Sequence, residues 1–323
     1  MTNPPPFPPA LQQALDQLNA YTDAELKARE AANSISVPLY HYTDAEGIKG
    51  IIESQQIWFT HYRHLNDPSE LHFGMNVARS LLNEIAGTKP SPRWLFCKCV
   101  EGILLPEKFS SISGFYIASF SRDHDDLAQW RAYGADGRGY ALGLAQHLFK
   151  AEDKPKRQAH ENDFVSPVVY GNREAEKLLR PPIEKAVALV EDVAHNAADV
   201  MSDKSIEKAF NREMTNIILA GALIPACLIT KHQAYEHEKE VRLMIIGQER
   251  NLKPHIENRK RGAGIVPFIR HNMPIRNNGI FEIVAGPAAG DAAVASLKTF
   301  LRLHTLDADA LVHPSAVPYR PVE

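Results

Sequence analysis

The chain lacks most of the features that mark a specialised class. No apolar run approaches the roughly 20 residues of a membrane-spanning helix, so none is predicted. Met1-Thr2-Asn3-Pro4-Pro5-Pro6 has neither the basic nor the apolar segment of a signal peptide. Cysteine is scarce: Cys97, Cys99 and Cys227 are too few for a disulfide framework, and their odd number suits a reducing cytoplasm, the expected compartment. No second Cys or Cys/His pair stands at zinc spacing from Cys97-Lys98-Cys99, so both thiols read as small buried hydrophobes. Neither sign of charge dominates, because 36 Lys and Arg face 39 Asp and Glu. There is no long basic tract of the kind that grips nucleic acid, and the nearest cluster, Arg259-Lys260-Arg261, reads as a solvated loop beside glycine. No G-x-G-x-x-G follows a strand, and neither a P-loop nor a G-x-S-x-G elbow occurs. That disfavours the two common dinucleotide and NTP folds and the serine hydrolases.

What is present is the composition of an ordinary globular protein, 44% hydrophobic and 23% charged over 323 residues, long enough for a sizeable core. Residues 1–9 read as a proline-rich disordered lead-in, and 11–31 as helix interrupted near Tyr21-Thr22-Asp23. The segment 36–42 reads as a strand, with Leu39 and His41 on one face and Tyr40 and Tyr42 on the other. Thr43-Asp44-Ala45-Glu46 has the spacing of a capping box, opening a helix whose stripe is Ile48, Ile51 and Ile52. A second strand is expected at 57–62, and another helix from Asp67-Pro68-Ser69-Glu70. Further strands are expected at 115–121, 139–144, 165–170, 241–246, 266–269 and 281–285, with a short helix around Gln129, Trp130 and Tyr133 and a closing helix at 291–303.

Residues 174–224 differ from the rest: alanine-rich and helical, with a break at Arg180-Pro181-Pro182 and a weak point near Ser202-Asp203. Strands, a helical block, then strands again argue an α+β class. The expected organisation is a lead-in and N-terminal helix (1–35), a first part of the α+β core (36–173), a helical insertion (174–225) and a second part of the core (226–323).

Two polar motifs nearly two hundred residues apart carry the candidate chemistry. In Glu238-Lys239-Glu240-Val241-Arg242, a strand starting at Glu240 puts Glu240 and Arg242 on one face and Val241, Leu243 and Ile245 on the other. A carboxylate held beside an arginine stays ionised and can stabilise an oxocarbenium-like sugar or bind a ribose hydroxyl. The plainer reading is a surface charge run before a buried strand. His41 can present a ring nitrogen to a ribose hydroxyl, or be a satisfied strand histidine; Thr43 can be a ligand group or only a helix cap. Ser119 and Ser121 share a strand face. His61, His64 and Asp67, and separately His232, His237 and Glu238, raise a divalent-metal and hydrolase reading, although the spacing of the first set is not that of one helix face.

Taken together, Leu39-Tyr40-His41-Tyr42-Thr43, Leu65-Asn66-Asp67-Pro68, Ser119-Phe120-Ser121, Trp130-x-x-Tyr133-Gly134, Gly139-Tyr140-Ala141-Leu142-Gly143, Glu238-Lys239-Glu240-Val241-Arg242 and Glu282-Ile283-Val284-Ala285-Gly286-Pro287 resemble a widespread bacterial family, domain of unknown function 2971. The resemblance spans roughly residues 38 to 303 and is weakest in 174–225. The His-x-Thr opening also resembles ADP-ribosyltransferase folds. That likeness implies a split β-sheet core with a helical insertion, and NAD as co-substrate. It implies His41 as the NAD-ribose ligand with Thr43 beside it, and Ser119 or Ser121 as the middle-strand element. Glu240, or else Glu238, would be the catalytic carboxylate with Arg242 as its buttress, and Tyr133 or Tyr62 would stack on nicotinamide. The implied function is an ADP-ribosyltransferase or NAD glycohydrolase acting as a bacterial toxin or defence effector, on an acceptor that is protein or nucleic acid. The alternative is a non-catalytic nucleotide sensor or interaction module, with the 174–225 helices as lid or partner surface.

Overall fold

The computed structural model describes residues 7–33, 35–65, 70–88, 90–105, 113–149 and 163–321. Residues 1–6 and the Asn66-Asp67-Pro68 part of the second motif lie outside them. The chain divides into two compact units, one within Met1–Ala32, Asn66–Ile112 and Val169–Gln233, the other within Asn33–Leu65, Ser113–Val168 and Ala234–Glu323.

The first unit is helical. It comprises α1 (Pro9–Ala32), α3 (Glu70–Ile85), α4 (Pro92–Ile103) and the helices Asn172–Asn196 and Lys204–Ile218, the last running through a π-helical turn, Leu219–Leu223, into Ile224–Leu228. Leu11, Leu18, Phe96, Ile183, Val190, Phe210 and Met214 are among its buried side chains. Two sequence expectations fail here. α1 is continuous through Tyr21-Thr22-Asp23, because Thr22 bonds back to the Asn19 carbonyl at 3.0 Å and is buried, instead of capping a new helix. The helix Asn172–Asn196 also runs through Pro181 and Pro182. Leu179, Pro182 and Ile183 are buried on it, and Arg180 holds Glu84 by two contacts of 2.9 Å, so packing offsets the two missing backbone donors. Asp203 does cap a new helix at the predicted weak point, accepting from the Ser205 and Ile206 amides. Burial pushes the Cys97 thiol up to about 11 and the Cys227 thiol up to about 12, as befits packed side chains.

The second unit is an open mixed sheet. Its strands are β1 (Leu39–Thr43), β2 (Gln56–His61), β3 (Ser113–Ser121), β4 (Tyr140–Leu144), β5 (Asp163–Pro167), β8 (Glu240–Gln248), β9 (Ile256–Arg261), β10 (Gly264–Asn272), β11 (Ile280–Ala285) and β12 (Val312–Pro314). The intervening β6 (Val169–Tyr170) and β7 (Thr230–Lys231) form a separate parallel pair in the helical unit. The main order is β12-β11-β4-β1-β3-β2-β10-β9, in which, among the described residues, only β11 and β12 run parallel. The sequence therefore reads the α+β class correctly, whereas Arg259-Lys260-Arg261 belongs to strand β9 and not to a loop.

Alternation decides which face each strand buries. Leu39, Ile57, Phe59, Phe120, Val241, Leu243, Ile245 and Ile283 join one core, closed over by Ile48 and Ile52 of α2 (Ala45–Ser54) and by Leu297 and Leu301 of the helix Asp291–Leu303. Burying each such side chain contributes on the order of 1.5–3 kcal/mol. Tyr40, Tyr42, Trp130, Ala141 and Val284 pack together as a second cluster, with Tyr133 against it.

One irregularity positions the site. β8 covers one edge of β3 along its whole length, from Ser113↔Gln248 to Ser121↔Glu240. The other edge is shared: β1 meets it only at Tyr40↔Ser121, and β2 only at Thr60↔Ile117 and His61↔Tyr116. β1 and β2 therefore diverge on either side of Ser119, and the sheet splits there.

Candidate functional site

The split opens a cavity of about 240 Å³ lined by β1, α2, β2 and β9 residues, among them His41, Thr43, Gly47, Gln56, Trp58 and Lys260. Each wall follows from local rules. Asp44 is extended (φ −85°) and its carboxylate accepts from the Gly47 amide at 2.7 Å, so the cap of α2 is Asp44 and not Thr43. Gln55 ends α2 in the left-handed region (φ +53°), its amide bonding the Ile51 carbonyl, and β2 begins at the next residue. Arg276 closes that end by donating to the Ile52 carbonyl at 2.8 Å. Gly47 is needed because a Cβ there would overlap Thr43 Oγ1, so the Thr43 side chain nests on the glycine.

His41 occupies the split itself. Its Nδ1 lies 3.1 Å from the Ser119 carbonyl, which the diverging strands leave without a ladder partner on that edge. A carbonyl can only accept, so Nδ1 carries the hydrogen and Nε2 keeps its lone pair while the ring is neutral. Burial pushes the His41 pKa down, the Ser119 hydrogen bond opposes this, and the Arg259 charge adds to the lowering. Trp58, 39% exposed, supplies an aromatic side chain to the wall.

The Glu240 motif lies elsewhere on the sheet. Glu240 and Arg242 share a face, as the alternation predicts, and pair across the ladder with Ser121 and Ser119. Arg242 is fully buried and grips Glu240 with both nitrogens, Nε to Oε1 at 2.8 Å and Nη2 to Oε2 at 3.0 Å. The Ser121 hydroxyl donates to the Glu238 carbonyl at 2.9 Å and accepts from the Asp123 amide at 3.0 Å, which pins the end of β3 to the turn before β8. Lys239, with φ +45°, separates Glu238 from Glu240 by a left-handed residue, so the two glutamates do not alternate along one strand. In the ladder it is Tyr40, not His41, that shares the Ser121–Glu240 face.

The expected set is thus divided. His41 and Thr43 line the cleft. Glu238, Glu240, Arg242 and Ser121 form a buried cluster at the β3–β8 end, and Ser119 links the two regions through its backbone. Tyr133 packs with Tyr42 and Trp130, while Tyr62 lies against Phe115, ring centroids 5.5 Å apart. Neither tyrosine lines the cleft. His61 and His64 lie with ring centroids 6.0 Å apart, and burial, with His64 and Arg63, pushes His61 down to about 4. Asp67 is outside the described residues, among which no group of three His, Cys, Asp or Glu is placed to hold a metal ion.

Sequence reading missed Gln56, Trp58 and Lys260. The signals available were a tryptophan in a short predicted strand and a basic run beside glycine. Among the described residues no helix is long and apolar enough to cross a membrane. No curated protein and no solved structure matches the chain. Residues 129–243, which hold the Trp130, Gly139 and Glu238–Arg242 motifs, match the family model described as protein of unknown function (DUF2971), the family that the motifs resemble.

Proposed function

We propose that the chain binds a nucleotide, with NAD the first candidate, in the cleft between β1 and β2. The observation that carries this is the sheet split at Ser119, which sets the His41 ring, Thr43 and Trp58 around one cavity. An imidazole lone pair and a threonine hydroxyl suit ribose hydroxyls, and an indole suits a base.

Calorimetric titration of the purified protein with NAD tests the reading: binding is expected, and it should weaken at least about tenfold, or 1.4 kcal/mol, in His41→Ala. A folded protein that binds no nucleotide would refute it.

A second reading, turnover as an ADP-ribosyltransferase or NAD glycohydrolase, draws on Ser119, Ser121, Glu240 and Arg242 lying side by side across β3 and β8. In it nicotinamide leaves with the glycosidic electron pair, and Glu240 stabilises the ribosyl cation until water or an acceptor nucleophile adds and loses its proton. Both Glu240 oxygens contact Arg242, and a ribose hydroxyl would donate to a remaining lone pair of one of them. Glu240→Gln would remove the carboxylate charge that faces the buried Arg242, so nicotinamide release must be compared at temperatures where the variant is still folded. Release by wild type that disappears in the folded variant favours turnover; binding without release favours a nucleotide sensor.

A further inference from the structure

The cavity is small for the ligand class just proposed. Sites for drug-sized ligands typically enclose about 300–1,000 Å³, and about 240 Å³ suits one nucleoside, not two nucleosides joined by a diphosphate. The phosphates of a dinucleotide must then lie outside the cavity, at its rim.

Strand β9 brings Lys260 to that rim, and sets Arg259, on the other face of the strand, against the lining residue Trp58. Lys260 lines the cavity and is exposed, with no ion-pair partner among the described residues. Arg259 reaches the cleft through Trp58, its guanidinium carbon 5.1 Å from that ring centroid and 5.7 Å from that of Phe268. Its Nη2 donates to Thr60 Oγ1 at 2.9 Å, and its Nε is buried with no partner. No carboxylate pairs with it among the described residues. Other arginines of the chain are matched: Arg242 with Glu240, Arg93 with Glu191, Arg180 with Glu84, Arg270 with Glu257 and Arg302 with Asp309. Burial, and then the like charge of Arg261, hold Arg259 below the usual guanidinium range, which is the condition an added anion would relieve. Asp44 and Glu46 line the α2 side of the same cavity, so an anion is favoured at β9 and disfavoured at α2. A fixed guanidinium stacked behind one wall residue and an exposed ammonium at the rim are together suited to a diphosphate that spans the strand.

We infer that Lys260 and Arg259 hold the phosphates of the ligand at the β9 rim while one nucleoside fills the cavity. This rests on the nucleotide reading, and the test separates the two. Calorimetry would compare the two nucleosides of NAD, their monophosphates, NAD itself and inorganic pyrophosphate, on wild type, Lys260→Gln and Arg259→Gln. The expected result is a gain of about tenfold or more on adding phosphate, falling to about threefold or less in each variant while nucleoside affinity is unchanged. A phosphate gain that survives in both variants overturns the inference. If no nucleoside or nucleotide binds but pyrophosphate does, in a way that needs Lys260 and Arg259, the anion site stands and the nucleotide reading falls. If pyrophosphate and nucleotides all fail to bind, both fall. Lys260 is exposed, so Lys260→Gln carries the test even if Arg259→Gln does not fold.

Discussion

The β8 end of the sheet and its β9 edge each withdraw a guanidinium from water, with opposite solutions. At β8, Arg242 is fully buried and its Nε and Nη2 both bond Glu240, two residues away on the same strand face. At β9, Arg259 is half-buried, stacked on Trp58 and Phe268, and has no carboxylate partner among the described residues. A cation paired with a carboxylate of its own strand can hold a strand end in place without any ligand. A cation left without its counter-charge beside a cavity is instead suited to a charge that arrives from outside. The contrast teaches that the motif most conspicuous in sequence, Glu238 to Arg242, is the more closed of the two regions, and that the cleft beside β9 is the more open.

The sharpest way to break this comparison is to remove each arginine. Arg242→Ala removes both contacts of a buried ion pair and should cost about 3–5 kcal/mol in urea denaturation. Arg259→Ala loses stacking and one hydrogen bond and should cost about 1–2 kcal/mol. Equal losses would erase the distinction.

A smaller effect is expected from two glycines of the cleft wall. Gly47→Ala drives a methyl group into Thr43 and should cost about 1–3 kcal/mol while weakening nucleotide binding. Gly50 has open space where a Cβ would go, and Gly50→Ala should stabilise the protein by about 0.5–1 kcal/mol through helix propensity. Thermal melts of the two variants check the opposite signs. If Gly47→Ala were as benign as Gly50→Ala, the nesting of Thr43 would not matter to the cleft.

The smallest effect is in pH dependence. Burial lowers both His41 and His61 in the fold, the latter to about 4, so the unfolded chain binds more protons once the pH drops below the ordinary imidazole value of about 6.5. Their contribution is complete at neutral pH and is lost as the pH falls, for His61 through about 4. Urea midpoints measured from pH 7 to pH 4 should decline, and His61→Phe, which keeps a ring but not the titration, should decline less. An unchanged slope in that variant would show that His61 does not contribute.

Much of the local structure was legible, because it depends on neighbours in the chain. The alternation of β8 placed Val241, Leu243 and Ile245 in the core and Glu240 with Arg242 on the other face, and the alternation of β1 separated His41 from Tyr40. The start of α2, its stripe at Ile48 and Ile52, and the helix Asp291–Leu303 also follow from side-chain spacing, although the cap is Asp44 and not Thr43. Pro181-Pro182 was misread because helix propensity describes an isolated segment, whereas Leu179 and Ile183 are buried and Arg180 is tied to Glu84. The basic run was misread because nothing in Arg259-Lys260-Arg261 reveals that β10 will pair with it.

The sequence by itself thus determined the class of the chain, most of its strands and helices, which side chains each strand turns inward, and the family likeness of residues 129–243. Only the tertiary structure decided where a site is. The register of β3 against β1, β2 and β8 splits the sheet at Ser119 and turns both Glu240 oxygens to Arg242. The pairing of β9 with β10, and of β10 with β2, brings Lys260 to the cavity that holds His41, more than two hundred residues earlier in the chain. Periodicity fixes the direction of a side chain relative to its own backbone, but the distance between two strands depends on every residue that packs between them.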